Sequence, residues 1–245
     1  NLSIKMIKMK KTILITGASS GIGKETAKYF QTQGWNVIAT MRTPEKETEL
    51  NQLKNVFVTK LDVLDEASIK EAIIQGIEKF GKIDVLVNNA GYLKNAPFEE
   101  LTISEWRNVY EANLFGPVNL IKQLLPFLKK GKLSGSSGFK SHIVNIGSIG
   151  GVQGSSKFKG LSAYSSSKGA LSVLTECLAE EFKEDLIAVN CLALGSVQTE
   201  MFSEAFPGFT AAKQPEEMGT YIGKFAMEGS MFFNGKILEV SISTP

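Results

Sequence analysis

The sequence predicts an α/β protein built on a doubly wound, seven-stranded parallel sheet with helices on both faces. Three observations carry this expectation. Short apolar, β-branched runs alternate with longer segments of helical spacing from one end to the other, the pattern that strand–helix crossovers leave. The first run leads directly into a glycine turn and then a helix. Finally, 245 residues of which 43% are hydrophobic and 21% charged suit one core, so a single domain over 1–245 is expected.

Taken in order, strands fall at 12–16, 36–41, 55–60, 83–88, 142–146, 186–192 and 236–241. Each is a short run rich in Val, Ile and Leu, as strands covered on both faces must be. Helices are expected at 23–34, 65–80, 104–130, 164–184 and 215–228, where apolar residues recur at helical spacing. Asp65 suits a helix N-cap. The segment 104–130 carries Val109, Leu114, Val118, Ile121, Leu125 and Leu128, more apolar surface than one sheet face needs. Pairing of 104–130 and 164–184 between subunits, as a homodimer or homotetramer, is therefore expected. The stretch 131–141, with Ser134-Gly135-Ser136-Ser137-Gly138 at its centre, reads as a flexible loop.

Charge and composition exclude several function classes. The balance of 27 basic against 25 acidic residues is +2 with no basic stripe, which argues against a nucleic-acid partner and leaves room for a small polyanion. No run reaches the roughly 18 apolar residues that span a bilayer. The lysine-rich start lacks a secretory apolar stretch, so a cytoplasmic protein is expected, with residues 1 to about 8 a tag or disordered. Cys177 and Cys191, 14 positions apart in apolar runs, lack metal-ligand spacing and are expected to be buried, reduced thiols. His142 is the sole histidine. A Ser-His-Asp hydrolase or a histidine metal site is thereby disfavoured.

The chemistry-bearing motifs follow the strands. After the first strand comes Thr16-Gly17-Ala18-Ser19-Ser20-Gly21-Ile22-Gly23, a strand, glycine turn and helix start of the Rossmann kind. Such a turn lets backbone amides approach a pyrophosphate at a helix N-terminus. The glycine spacing before Lys24 is not that of a P-loop, which favours a dinucleotide over ATP hydrolysis. The second strand ends in Met41-Arg42-Thr43 rather than in an acidic residue. Arg42 suits a ribose 2′-phosphate, so NADP (as NADPH) is expected over NAD. Tyr164 and Lys168, four apart, share one helix face. A phenol normally ionises near pH 10, about three units above neutrality, and a nearby ammonium favours the phenolate.

With the glycine loop, Asn88-Asn89-Ala90-Gly91, Asn113, Ser148 and the Tyr164/Lys168 pair present in order, the chain resembles the short-chain dehydrogenase/reductase family, in its compact single-domain branch. The resemblance covers nearly the whole length. It implies an NADP-dependent oxidoreductase acting on CH–OH donors, moving a hydride between a nicotinamide and a small carbonyl or alcohol substrate. It implies Tyr164 as general acid or base, and Lys168 lowering the phenol's pKa and holding the nicotinamide ribose. Ser148 would orient the substrate oxygen, and Asn113 would hold a water of a proton relay. Further cofactor contacts implied are Gly17, Ser19, Ser20, Gly21, Ile22, Gly23, Arg42 and Thr43, with Asp62 and Val63 at the adenine. Asn89, Ala90 and Gly91 would line its ribose, and Gly195, Val197 and Thr199 would meet nicotinamide and pyrophosphate.

The chain also departs from the family pattern. Leu194 stands where a proline usually precedes Gly195, removing a fixed φ. Ser148 and Tyr164 are 16 positions apart, a few more than usual, with the extra residues placed in 154–159 and Ser162 a substitute for Ser148 if the register differs. The segment 200–214 reads as a short lid carrying Met201, Phe202, Phe206 and Phe209, which suggests a substrate with hydrophobic surface. A catalytically idle dinucleotide sensor on the same fold is the rival reading. Methyl transfer is disfavoured by the Tyr164/Lys168 constellation.

Overall fold

The structure, a computed structural model, describes residues 10–133 and 138–242. The expectations for residues 1 to about 8 and for the Ser134–Ser137 part of the loop lie outside the described residues. The remaining chain forms one seven-stranded parallel sheet in the order β3-β2-β1-β4-β5-β6-β7. Its strands are β1 (Thr12–Ile15), β2 (Asn36–Met41), β3 (Val56–Lys60), β4 (Val85–Asn88), β5 (Ser141–Ser148), β6 (Ile187–Leu194) and β7 (Ile237–Val240). All seven expected strands are present; β5 and β6 each run two residues further at their C-terminal ends than the apolar runs suggested.

Seven α-helices cover the sheet: α1 (Gly21–Thr32), α2 (Glu66–Phe80), α3 (Ile103–Tyr110), α4 (Gly116–Leu128), α5 (Ser162–Glu181), α6 (Glu200–Ala205) and α7 (Pro215–Glu228). Alternate residues of each strand point to opposite faces. Ile13 and Ile15 pack in the core with α1 and α7, through Ala27, Phe30, Met218 and Ile222. Leu14 points the other way, into a core with Ile69 and Ile73 of α2, Leu120 and Leu124 of α4 and Phe182 beyond α5. Phe30 is fully buried, and its truncation to alanine would cost about 3–5 kcal/mol. Asp65 caps α2, accepting from Ala67 N at 2.9 Å and Ser68 N at 3.3 Å.

The segment 104–130 is not the continuous α-helix its periodicity suggests. A π-helical turn, Glu111–Phe115, separates α3 from α4. Pro117 explains the break: it has no N–H to donate to the Asn113 carbonyl, so the regular bond cannot form there. The extra residue in the turn directs Asn113 inward, where it is fully buried, and such π-turns recur at functional sites. Cys191 is buried as expected, but Cys177 is exposed. It falls on the outer face of α5, a position that a locally apolar run does not reveal.

The strand order reverses between β1 and β4: the chain steps from β1 through β2 to β3 toward one edge, then crosses back to β4 and continues toward the other. Crevices of this kind, at the carboxyl ends of the strands, are where doubly wound sheets hold ligands. The glycine turn, Asn89, Ser148 and Gly195 all follow or end strands on this edge.

Candidate active site

Thr16 ties the glycine turn to the segment after β4. The amides of Asn89 and Ala90 each donate to Thr16 Oγ1 at 3.0 Å. The Asn89 side chain donates in turn to the carbonyls of Thr16 at 2.9 Å and Gly17 at 3.1 Å. Gly17 has φ +66°, and a Cβ there would lie 3.0 Å from Ala90 Cα. A Cβ on Gly23 would overlap the Gly17 carbonyl oxygen. The turn is therefore closed to side chains. Above it, Ser20 stands at the N-cap of α1 without a capping side-chain bond, and no acidic residue occupies the first helical turn. Open amides and a positive helix end fit a pyrophosphate. Ser19 and Ser20 are exposed, Gly21 and Ile22 half-buried.

At the end of β2, Arg42 and Thr43 are exposed, and Arg42 makes no hydrogen bond or ion pair among the described residues. Lys24, on α1, is committed to Glu47 at 3.3 Å and Glu49 at 3.0 Å. Burial opposes its charge, but the bonds to Glu49 and Glu47 outweigh it and hold the ammonium's pKa above the ordinary lysine value. Following β3, Asp62 accepts from Leu64 N at 3.0 Å, and Val63 packs where Gly116 leaves room. Gly195 donates its N–H to Val240 O at 2.9 Å, with Leu194, the last residue of β6, paired to Val240 of β7. The Thr199 methyl lies 3.3 Å from where a Gly21 side chain would begin, so the segment after β6 faces the glycine turn. Val197 is buried and bridges to Lys213.

The polar cluster lies beside this cradle. Ser148 ends β5 opposite Leu194, accepts from Gly150 N at 3.3 Å and stands near enough to the Tyr164 phenol to favour its ionised form. The lengthened loop thus leaves Ser148, and not Ser162, at the phenol. Lys168 is 4% exposed, donates to Ile146 O at 2.8 Å and holds its Nζ 5.8 Å from the Tyr164 ring centroid. Asn113 accepts from Tyr92 N at 2.8 Å and donates to Tyr92 O at 2.9 Å and Ser167 Oγ at 3.0 Å. Gly91 joins the two: a Cβ there would sit 3.2 Å from Asn113 Oδ1 and 3.5 Å from Lys168 Nζ.

Burial pushes the Tyr164 phenol up to about 12, with Ser148 pulling weakly the other way. The charge of Lys168, expected to lower it, does not figure in this balance. The ammonium lies toward the ring face and is bonded to a carbonyl, so in the protein alone desolvation decides. Burial likewise brings Lys168 down to about 8, with Cys191 opposing that fall. Burial raises the Cys191 thiol, against the Ser172 hydroxyl and the Lys168 charge. A cavity of about 840 Å³ lies outside α5, where Ser162, Ser165 and Gly169 face away from Tyr164 and Lys168.

Residues 11–208 match the family model for short chain dehydrogenases. The chain belongs to the short-chain dehydrogenase family. It is similar to Oxidoreductase BOA17 of Botryotinia fuckeliana, 38% identical over 195 residues that cover 78% of this chain and 68% of that protein. It is also similar to the 3-oxoacyl-[acyl-carrier-protein] reductase FabG of Thermotoga maritima, 32% identical over 246 residues, 94% of this chain and 96% of that one. Among solved structures, ElxO with NADP bound superposes with a TM-score of 0.81 at 31% identity, covering 95% of this chain and 97% of that chain. Membership makes this an oxidoreductase of a nicotinamide-dependent family. No helix among the described residues is long and apolar enough to cross a membrane. Nor do the described residues group three or more histidine, cysteine or acidic side chains as a metal site.

Short-chain dehydrogenase motifs found by sequence converge here: Asn113, Ser148, Tyr164 and Lys168 form one cluster, beside the glycine turn. Sequence reasoning missed Thr16, Tyr92 and Ser167, which hold the motif residues in place. Their signal was faint, being single polar residues beside glycine or within a helix.

Proposed function

We propose that the protein is an NADP-dependent carbonyl reductase or alcohol dehydrogenase, working as one domain, with Tyr164 as its general acid or base. The observation that carries this reading is the buried Lys168, tied to the Ile146 carbonyl at the end of β5 with its Nζ 5.8 Å from the Tyr164 ring centroid, beside Ser148. A phenol pushed up to about 12 is fully protonated at neutral pH and is ready to donate to a carbonyl oxygen. Ser148 Oγ would hold that oxygen against the phenol, and loss of the phenolic proton to the product would be eased by the ammonium of Lys168.

The donor set fits a nicotinamide dinucleotide, which when bound supplies or accepts the hydride. The open amides of α1 would hold its pyrophosphate, and Arg42, with no partner of its own among the described residues, would hold a 2′-phosphate. Asp62 with Val63 would meet the adenine, and Asn89 to Gly91 the adjacent ribose. Gly195, Val197 and Thr199 would flank the nicotinamide end. The likeness to FabG and to NADP-bound ElxO supports the preference for NADP. We place the protein in the cytoplasm, as a homodimer or homotetramer pairing through α4 and α5, with exposed Phe115 and Val173 in support.

Purified protein should oxidise NADPH in the presence of a ketone or aldehyde. Tyr164→Phe should abolish turnover and leave NADPH fluorescence titration unchanged. Full activity in that variant rules out this mechanism, and tight NADPH binding without turnover across a carbonyl panel would favour an idle sensor.

A further inference from the structure

A directional polar relay crosses the apolar packing between α5 and the sheet. Ile143 of β5 shares a core with Leu178 and Ala179 of α5. Asn145, two positions on and on the same face of the strand, is fully buried. Its Nδ2 donates to Thr175 Oγ1 at 2.9 Å, and its Oδ1 accepts from Asn88 Nδ2 of β4 at 2.8 Å. Thr175 is fully buried as well and donates to the Leu171 carbonyl at 2.9 Å. Its single proton is thereby spent, so toward Asn145 the hydroxyl accepts. The relay has one polarity from Asn88 through Asn145 to Thr175.

Each end of the relay adjoins one half of the site. Thr175 lies two turns beyond Lys168 among the buried residues of α5, and Asn145 lies three positions before Ser148. Asn88 precedes Asn89, whose side chain bonds the carbonyls of Thr16 and Gly17 in the glycine turn. Because α5 runs antiparallel to β5, the bond from Asn145 to Thr175 comes first, the bond from Lys168 to Ile146 O next, and Tyr164 beside Ser148 last, toward the crevice. Apolar contacts along such an interface tolerate sliding, since the hydrophobic effect has no direction. An amide-to-hydroxyl bond does not, because it weakens beyond about 3.2 Å. Buried polar pairs of this kind fix register at some cost in stability.

We propose that Asn145 and Thr175 are positioning residues: their bond sets the height of α5 on β5 and, through Asn88, holds the Tyr164/Lys168 pair in register with Ser148 and the glycine turn. This rests on the carbonyl reductase reading above. The test compares the wild type with Thr175→Val, which keeps the shape without the hydroxyl, and Thr175→Ser, which keeps the hydroxyl. Asn145→Ala breaks the same bond from the strand side, should the valine variant not fold. Two quantities are read where each protein is folded. One is the titration midpoint of Lys168, by NMR of protein carrying lysine labelled at its ε carbon, with Lys168→Met assigning the resonance. The other is the kinetics of acetophenone reduction by NADPH. Thr175→Val and Asn145→Ala should loosen Lys168 from the Ile146 carbonyl and move its midpoint down by about half a unit or more. Both should lose about tenfold or more in kcat with KM for the ketone within about threefold, because a displaced catalytic group costs rate more than binding. Thr175→Ser should restore midpoint and kcat together. Lower thermal stability with both quantities at wild-type values would make the relay structural only and overturn the proposal. So would an unshifted midpoint, or a shifted one with kcat intact. Where the wild type does not turn over acetophenone, the midpoints decide the register and a carbonyl panel decides the reductase reading.

Discussion

Lys168 Nζ donates a 2.8 Å hydrogen bond to the carbonyl of Ile146, two positions before Ser148 on the same strand. The bond fastens the first turns of α5 to the end of β5, so the ammonium, the phenol and the serine hydroxyl hold one geometry. It also gives a buried cation a neutral acceptor as its hydrogen-bond partner, which is why burial brings its pKa down to about 8.

A pH profile follows from that value. The phenol keeps its proton up to about 12, whereas Lys168 is charged below about 8 and neutral above it. The kcat/KM for ketone reduction should therefore fall as pH rises through about 8, since this quantity reports groups of the free enzyme. Lys168→Met should lower the rate at pH 7 by about 100-fold or more and lose that limb. A wild-type profile flat to pH 10 would show that the charge is not needed.

Removing the same charge should stabilise the fold. The drop from 10.5 to about 8 corresponds to about 3 kcal/mol of cost for keeping the ammonium buried at neutral pH. Because the folded pKa lies below the unfolded one, wild-type stability should rise between pH 8 and 10.5. Lys168→Met should unfold at a higher urea midpoint than the wild type at pH 7. A lower midpoint would mean that the bond to Ile146 outweighs desolvation.

Asn113 makes three bonds from the π-turn, two to the backbone of Tyr92 and one to Ser167. Asn113→Ala removes the partner of the part-buried Tyr92 amide and carbonyl, while Ser167 keeps its bond to the Tyr164 carbonyl, and should cost about 1–3 kcal/mol. Denaturant titration should show a lower midpoint at unchanged slope, with turnover lost more severely than NADPH binding. An unaltered midpoint would contradict the network.

Arg42 should set cofactor choice. A charge-assisted bond to a 2′-phosphate is worth about 1.5–3 kcal/mol, so Arg42→Ala should weaken NADPH about tenfold or more and leave NADH unaffected. Salt should narrow the wild-type difference. Tighter binding of NADH by the wild type would overturn the assignment.

Much of this was legible in the chain because parallel strands buried on both faces read as unbroken apolar runs, and because glycine is required where Ala90 and the Gly17 carbonyl crowd the turn. What escaped was three-dimensional. Periodicity carries 104–130 through as one helix, and the missing donor of Pro117 breaks it. The spacing of Tyr164 and Lys168 suggests a lowered phenol pKa, yet spacing says nothing of desolvation. Asn95 and Phe158 read as loop residues because their partners, Ala205 and Phe206, are distant in sequence.

The far end of the sheet offers an independent test of the packing. His142 is the second residue of β5 and is 3% exposed. Its Nδ1 faces the Ala226 carbonyl at 3.1 Å and its Nε2 faces the Asn190 amide nitrogen at 3.0 Å. A carbonyl requires a proton on Nδ1, and an amide N–H requires a lone pair on Nε2, so the ring is neutral. Burial brings its pKa to about 4, against a weaker opposing bond to Ala226. An unfolded histidine titrates near 6.5, so between about 6.5 and 4 the unfolded state binds the extra proton and stability falls as pH falls. Over that window the loss is about 3 kcal/mol. His142→Gln cannot take up that proton, so it should lose less stability between pH 7 and 4.5 than the wild type does. Urea unfolding at both values checks this, and equal losses in the two proteins would place the acid sensitivity on other groups.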